Sequence, residues 1–372
     1  MNWNYRQPVE ILFETGGMEQ LAALLRMRGY RRGILVCDPF FVGSGLAAQI
    51  QERADGRLVG VYSDVTPNPR IREVDACAAL LRESGADFAV AVGGGSSIDC
   101  AKAACAVAAA QLPAAAYHTG GQALPSSPLP LIAAPTTAGT GSEVTSVAVL
   151  TDDEKGVKAP LGGPMLFPKL ALVDPNLTRS LPPRATASCG LDALSHALEA
   201  FWSRGHQPVC DALAHYAARL VFDWLPAAVE NGDDMQARAK MCEASVIAGL
   251  SFALPKTAAA HAISFPLTNV WGIPHGEACA FTLGALCRVN AGAEKGRLDR
   301  FARELGFPDA AAMGDRIDAM KRDFGLRRTL DEAGIKLADL ERLAQLSEHP
   351  NLHNNPVELD QNALVALFRK LR

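Results

Sequence analysis

The sequence predicts two domains, an α/β domain over residues 1–178 and an all-helical domain over residues 179–372. Three observations predict them. At 372 residues the chain exceeds the size at which one hydrophobic core stops growing. Up to about residue 178, short β-branched runs alternate with amphipathic helical stretches, the pattern of a mostly parallel sheet flanked by helices. Beyond Leu181-Pro182-Pro183 the strand signals almost vanish, and Ala/Leu-rich segments with helical spacing continue to the end.

In chain order, GILVCD (33–38), RLVGVY (57–62), FAVAVGGG (88–95), LPLIAAPTT (129–137) and LALVD (170–174) read as strands, with helices between them. The second half reads as helices broken at Pro208, Pro226, Pro255, Pro266, Pro274 and Pro308. With no repeat and no low-complexity linker, the domains are expected to pack closely and share a cleft, where small-molecule sites are common.

Composition narrows the function. Nearly half the residues (49%) are hydrophobic and 20% charged, as in a globular protein. Net charge is only -4, and no basic run is interleaved with aromatics, so neither nucleic acid nor an anionic membrane is an expected partner. The segment MNWNYRQPVEILF has no leader pattern, and the Ala-rich run from Ala103 stops at Pro113, which predicts a soluble, unexported chain. Nine cysteines without a CxxC pair read as reduced, mostly buried thiols, and so as a cytoplasmic protein.

FAVAVGGGSSIDCAKA sets three glycines between a buried strand and a helix starting near Ser96. Glycines permit close backbone approach, and the helix N-terminus offers free N–H groups to phosphate; a Gly-rich turn with no ligand is an equal alternative, because the spacing is not GxGxxG. APTTAGTGSEVTS, again after a strand, offers Thr136, Thr137, Thr140 and Ser142 hydroxyls, and a second such loop favours the phosphate reading. Asp38 ends a strand where a carboxylate would accept from a ribose 2′-hydroxyl and favour NAD over NADP; alone it would read as a turn aspartate before Pro39.

In GLDALSHALEAF, Asp192 and His196 share one helix face, a spacing more often seen in surface or capping pairs than in metal sites. His261 lies in an apolar stretch and His275 follows Pro274. Buried imidazoles need partners, and one carboxylate with three of them would satisfy a divalent cation, Fe(II) or Zn(II).

Together GGGSSIDCAK, APTTAGTGSEVT, GLDALSHALEAF and the AAAHAISFPLT to GIPHG block resemble the iron-containing alcohol dehydrogenases over essentially the whole chain. The resemblance implies a dinucleotide-binding α/β domain, a helical domain and a divalent metal in the cleft between them. Asp192, His196, His261 and His275 fall on the family's metal-ligand positions. Gly94, Gly95, Ser96 and Ser97 fall on its diphosphate loop, Thr136, Thr137 and Thr140 on its second nucleotide loop, and Asp38 on the position facing the adenosine ribose. Asn68 and Lys158 look like further cofactor contacts. Many relatives carry a second histidine four residues after the third ligand; here that position is Phe265, which removes any proton relay through it.

These features predict an NAD(H)-using, metal-dependent alcohol dehydrogenase or aldehyde reductase, dimeric through an extended strand at Val9–Phe13. The HAISFPLT and HNNPVELD segments resemble the branch containing phosphonoacetaldehyde reductases, with Lys256, Asn354 and Asn355 as expected phosphonate donors and Phe265 beside the substrate. A small uncharged alcohol or a lactaldehyde-type substrate is the alternative. The four-ligand set speaks against a dehydroquinate synthase or glycerol dehydrogenase type of relative. A non-catalytic metal- or nucleotide-binding protein is the alternative of another class.

Overall fold

The computed structural model describes residues 3–110 and 112–372. Arg6–Thr137 and Gly141–Arg179 form an α/β unit, and Ser180–Arg372 form a helical unit together with the N-terminal segment up to Tyr5 and with Ala138–Thr140.

The α/β unit is built on a six-stranded, all-parallel sheet of β1 (Glu10–Phe13), β2 (Gly33–Cys37), β3 (Leu58–Tyr62), β4 (Phe88–Gly93), β5 (Leu131–Pro135) and β8 (Leu170–Val173), in the order β1-β8-β5-β4-β2-β3. Strands β2, β4, β5 and β8 are buried along their whole length, which is why they read as unbroken apolar runs. The five strands predicted from sequence are all present, each ending within two residues of its expected end.

From β2 the chain steps to β3 on one side and then to β4 on the other, so the order reverses between β2 and β4. In open α/β sheets the crevice at the carboxyl ends flanking such a reversal receives ligands. Cys37 pairs with Val92, and Gly93 with Pro135, so the segments after β2, β4 and β5 leave the sheet side by side.

One feature went unpredicted. An antiparallel hairpin of β6 (Val147–Asp152) and β7 (Val157–Gly162) encloses the turn Asp153–Gly156. Its strands carry apolar residues on both faces, with alternating half-buried and buried positions along β6, so no polar alternation marks them.

The helical unit centres on helix Pro183–Trp202, buried without interruption from Gly190 to Trp202. A helix buried all round is a core element. Two prolines expected to break helices lie inside them instead: Pro226 within helix Pro208–Glu230 and Pro266 within helix Ala259–Asn269. Each removes a single i to i−4 bond near a helix end, and burial of the surrounding turns outweighs that loss. No helix among the described residues is long and apolar enough to cross a membrane.

Candidate active site

In the α/β unit the two glycine- and threonine-bearing loops adjoin because β4 and β5 are in register. The Thr136 N–H donates to the Gly93 carbonyl at 2.9 Å. Gly93 has no room for a side chain, since a Cβ would lie 2.4 Å from Ser97 Oγ, and a Cβ on Gly94 would touch Thr137. Gly94 caps helix Gly95–Ala108 without any side-chain hydrogen bond to its first turn. Those N–H groups and the positive helix end make an anion cradle.

Asn68 joins this cradle in a left-handed conformation (φ 58). Its N–H donates to Ser96 Oγ at 3.2 Å, and its Oδ1 accepts from Lys158 Nζ at 2.7 Å. Asp38 follows β2, where Oδ1 accepts the Phe40 N–H at 2.7 Å and caps helix Pro39–Gly43. The structure thus gathers Asn68, Gly94, Gly95, Ser96, Ser97, Thr136, Thr137 and Lys158 at the carboxyl end of the sheet. Thr140 belongs to the helical unit.

The second loop is pinned from below. Lys102 on helix Gly95–Ala108 is 1% exposed, and its Nζ donates to Ser142 Oγ (2.8 Å), Thr145 Oγ1 (3.2 Å) and the Val147 carbonyl (2.9 Å). Asp99 accepts from Ser142 Oγ (2.5 Å) and the Val149 N–H (2.9 Å). Burial lowers the Lys102 ammonium to about 8 against the opposing pull of Asp99 and Glu143, and burial raises the Glu143 carboxyl to about 7.

A carboxyl whose folded-state pKa lies above its ordinary 4.5 keeps a proton that the unfolded chain has lost, so stability falls as pH rises from about 4.5 to about 7. Glu143→Gln is therefore expected to match the parent in urea unfolding at pH 4 and to exceed it by about 2–3 kcal/mol at pH 8. An equal difference at both pH values would refute this.

In the helical unit, Asp192, His196 and Glu199 occupy positions i, i+4 and i+7 of the buried helix and share a face. A Cβ on Gly276 would lie 2.3 Å from the Ser188 carbonyl oxygen, so glycine there lets helix His275–Phe281 close on helix Pro183–Trp202. The first turn of that short helix is held by Glu277, 1% exposed, which accepts from Arg184, from the Arg327 guanidinium and from the Arg327 N–H.

Donor atoms of Asp192, His261, His275 and Cys279 lie within 4.8 Å of one another. His196 is not in that mutual group; it meets the group through His261, Nε2 to Nε2, at 3.0 Å. His261 Nε2 is 3.7 Å from Asp192 Oδ1. The outer nitrogens explain the arrangement. His196 Nδ1 donates to the Gly139 carbonyl at 3.2 Å, and His261 Nδ1 donates to Glu199 Oε2 at 2.5 Å. Both Nε2 atoms therefore present lone pairs to each other, an arrangement that repels unless a cation or proton intervenes.

Burial, with His261 and His275 nearby, holds His196 well below the ordinary imidazole range, which disfavours a proton there. For His261 burial acts in the same direction, but Cys279 and the Glu199 carboxylate outweigh it and raise the ring well above its usual value. A divalent metal would take the place of the proton that His261 otherwise holds between these groups, and a buried carboxylate facing imidazoles, two of them oriented by outer acceptors, fits such an ion.

Two members of this centre escaped the sequence. Glu199 is three residues beyond His196, a spacing common on any helix, and its partner His261 is far away in sequence. Cys279 had a usable signal, because it follows His275 by one helical turn.

The expected substrate contacts fare differently. Asn354 gives both amide hydrogens to the Pro255 (2.8 Å) and Thr257 (3.0 Å) carbonyls, and Asn355 gives its own to Asn290 Oδ1 (2.9 Å) and the Val357 carbonyl (2.8 Å). Neither keeps an N–H for an anion, so these side chains hold the 255–257 segment and Asn290 in place. Lys256 is exposed at φ 68, with Nζ turned back onto the Ala253 carbonyl at 2.9 Å. Phe265 packs on His349, ring centroids 4.8 Å apart.

Two family models and several known proteins match the chain. The model of the iron-containing alcohol dehydrogenase family matches residues 8–175, and that of the family's C-terminal region matches residues 186–372. The chain is 32% identical to alcohol dehydrogenase 4 of Saccharomyces cerevisiae over 98% of this chain and 97% of that protein. It is 34% identical to an NAD-dependent methanol dehydrogenase of Bacillus methanolicus over 92% of each. A crystal structure of sulfoacetaldehyde reductase from Bifidobacterium kashiwanohense in complex with NAD+ superposes with a TM-score of 0.97 at 48% identity, covering 100% of this chain and 99% of that one.

Proposed function

The chain belongs to the iron-containing alcohol dehydrogenase family and is an NAD- and metal-dependent enzyme of the alcohol dehydrogenase class, and from that premise we propose that it reduces a two-carbon aldehyde bearing a tetrahedral oxyanion. A sulfonate is the first choice of head group and a phosphonate the second. The observation that carries this proposal is the 48% identity, end to end, with a protein described as a sulfoacetaldehyde reductase. The HAISFPLT and HNNPVELD segments keep phosphonoacetaldehyde, reduced to 2-hydroxyethylphosphonate, as the companion substrate.

Asp192, His196, His261 and His275 are the proposed ligands of Fe(II) or Zn(II), with Cys279 beside them. When bound, the metal would draw charge from the carbonyl oxygen and NADH would supply the hydride. The protein's own part is positional. The Gly94–Ser97 turn and Thr136 would hold the diphosphate, Asn68 and Lys158 would contact the cofactor beside it, and Asp38 would accept from the adenosine ribose. Phe265, in place of a histidine, offers no proton, so water or the cofactor ribose would carry the proton to the product alkoxide. A homodimer through β1 is part of the same proposal, supported by its place at the sheet edge.

Initial-rate assays of the Fe(II)- and Zn(II)-loaded protein with sulfoacetaldehyde, phosphonoacetaldehyde and propanal test the substrate. An anionic aldehyde is expected to exceed propanal in kcat/KM by about tenfold or more, the worth of one charge-assisted contact. Lys256, once released from the Ala253 carbonyl, is the proposed anion donor, and Lys256→Ala is expected to narrow that gap through the anionic substrate alone. Propanal turned over as well as either anion would reject the anionic assignment. For the cofactor, the parent is expected to prefer NADH, and Asp38→Gly to improve NADPH use by removing charge next to the 2′-phosphate. A parent that already prefers NADPH would remove Asp38 from that role.

A further inference from the structure

We propose that Cys279 is a donor to the metal, so that the centre offers a thiolate beside its carboxylate and imidazoles. This rests on the reading of the cluster as a divalent metal site. Cys279 is fully buried on helix His275–Phe281, one turn after His275, and faces the same way. Its Sγ lies 3.7 Å from His275 Nε2 and within 4.8 Å of the donor atoms of Asp192 and His261. Bonds of about 2.0 Å to nitrogen and about 2.3 Å to sulfur place neighbouring N and S ligand atoms about 3.0–3.5 Å apart, whichever coordination number the ion takes. The Cys279–His275 separation is already close to that edge.

On coordination the thiol gives up its proton to solvent, and the sulfur lone pair forms the bond to the metal, with no change of oxidation state. A sulfur donor shifts the preference of a nitrogen and oxygen site toward thiophilic ions such as Zn(II), Co(II) and Cd(II). Cys279 is thus a metal-selecting residue of this chain.

The test uses the full-length protein loaded with Co(II), with bound metal measured directly. A near-ultraviolet thiolate-to-cobalt charge-transfer band is expected in the parent. It should disappear in Cys279→Ser, with cobalt still bound and its visible d–d bands retained. Cd(II) affinity should fall by on the order of tenfold or more in the same variant. Cys279→Ala gives the same comparison if the serine hydroxyl disturbs folding. Bound cobalt without the band in the parent, or a band that survives in both variants, would overturn the role of Cys279 and leave the metal site standing. Failure of the parent to take up any Co(II), Zn(II) or Fe(II) would overturn both.

Discussion

His261→Ala is expected to abolish stoichiometric metal binding and to lower aldehyde reduction by on the order of a thousandfold or more, while NADH binding persists. His261 is the hub of the cluster: its Nε2 faces both His196 Nε2 at 3.0 Å and Asp192 Oδ1 at 3.7 Å. Its removal takes away one ligand and also the atom against which two others are arrayed. An interaction that neutralises charge developing on the carbonyl oxygen is commonly worth a hundredfold or more in rate, and loss of the ion removes it whole. The Gly94–Ser97 cradle lies in the α/β unit and His261 in the helical unit, so NADH affinity, read by fluorescence, should change little. Metal analysis after gel filtration, paired with NADH oxidation, reads both effects. Chelated parent protein that keeps full activity would dispose of the metal reading altogether.

The sheet was legible because parallel strands buried on both faces leave unbroken apolar runs ending in glycine, threonine or aspartate, as at Gly33–Cys37 and Phe88–Gly93. The β6–β7 hairpin was not, since the half-buried Val147 and Val149 are as apolar as the buried Ala148 and Leu150, Asp152 is polar at a buried position, and Val157 and Pro160 are apolar at exposed ones. Asp192, His196, His261 and His275 could be named from spacing and family resemblance, and the structure brings all four to one place. Spacing could not reveal how they are oriented. Glu199 and the Gly139 carbonyl act on His261 and His196 across the fold, and nothing local in ALEAF or TAGTG announces a hydrogen bond so distant. Lys102 makes the same point, since a lysine in a helix reads as solvated until its three acceptors are seen. The asparagines near the C-terminus misled in the opposite direction: their amides serve backbone carbonyls and a third asparagine.

Glu199 separates stability from metal binding. Its carboxylate is fully buried; Oε1 accepts the Ala260 N–H at 2.6 Å and Oε2 accepts His261 Nδ1–H at 2.5 Å, so it caps helix Ala259–Asn269 and sets the His261 tautomer together. Glu199→Ala strands three buried donors, the Ala260 and His261 N–H groups and His261 Nδ1–H, and should destabilise the protein by about 3–5 kcal/mol, measured by chemical denaturation. Glu199→Gln keeps the volume and leaves one oxygen to accept the Ala260 N–H, but its amide then points N–H at His261 Nδ1. His261 can answer only by moving its proton to Nε2, where it donates toward His196 Nε2 or Asp192. That satisfies the metal-free protein and blocks the metal. Glu199→Gln is therefore expected to unfold close to the parent and yet to bind Zn(II) or Co(II) about 10- to 100-fold more weakly by competitive chelator titration. Glu199→Gln protein that binds metal as tightly as the parent would show that Glu199 serves the helix cap alone.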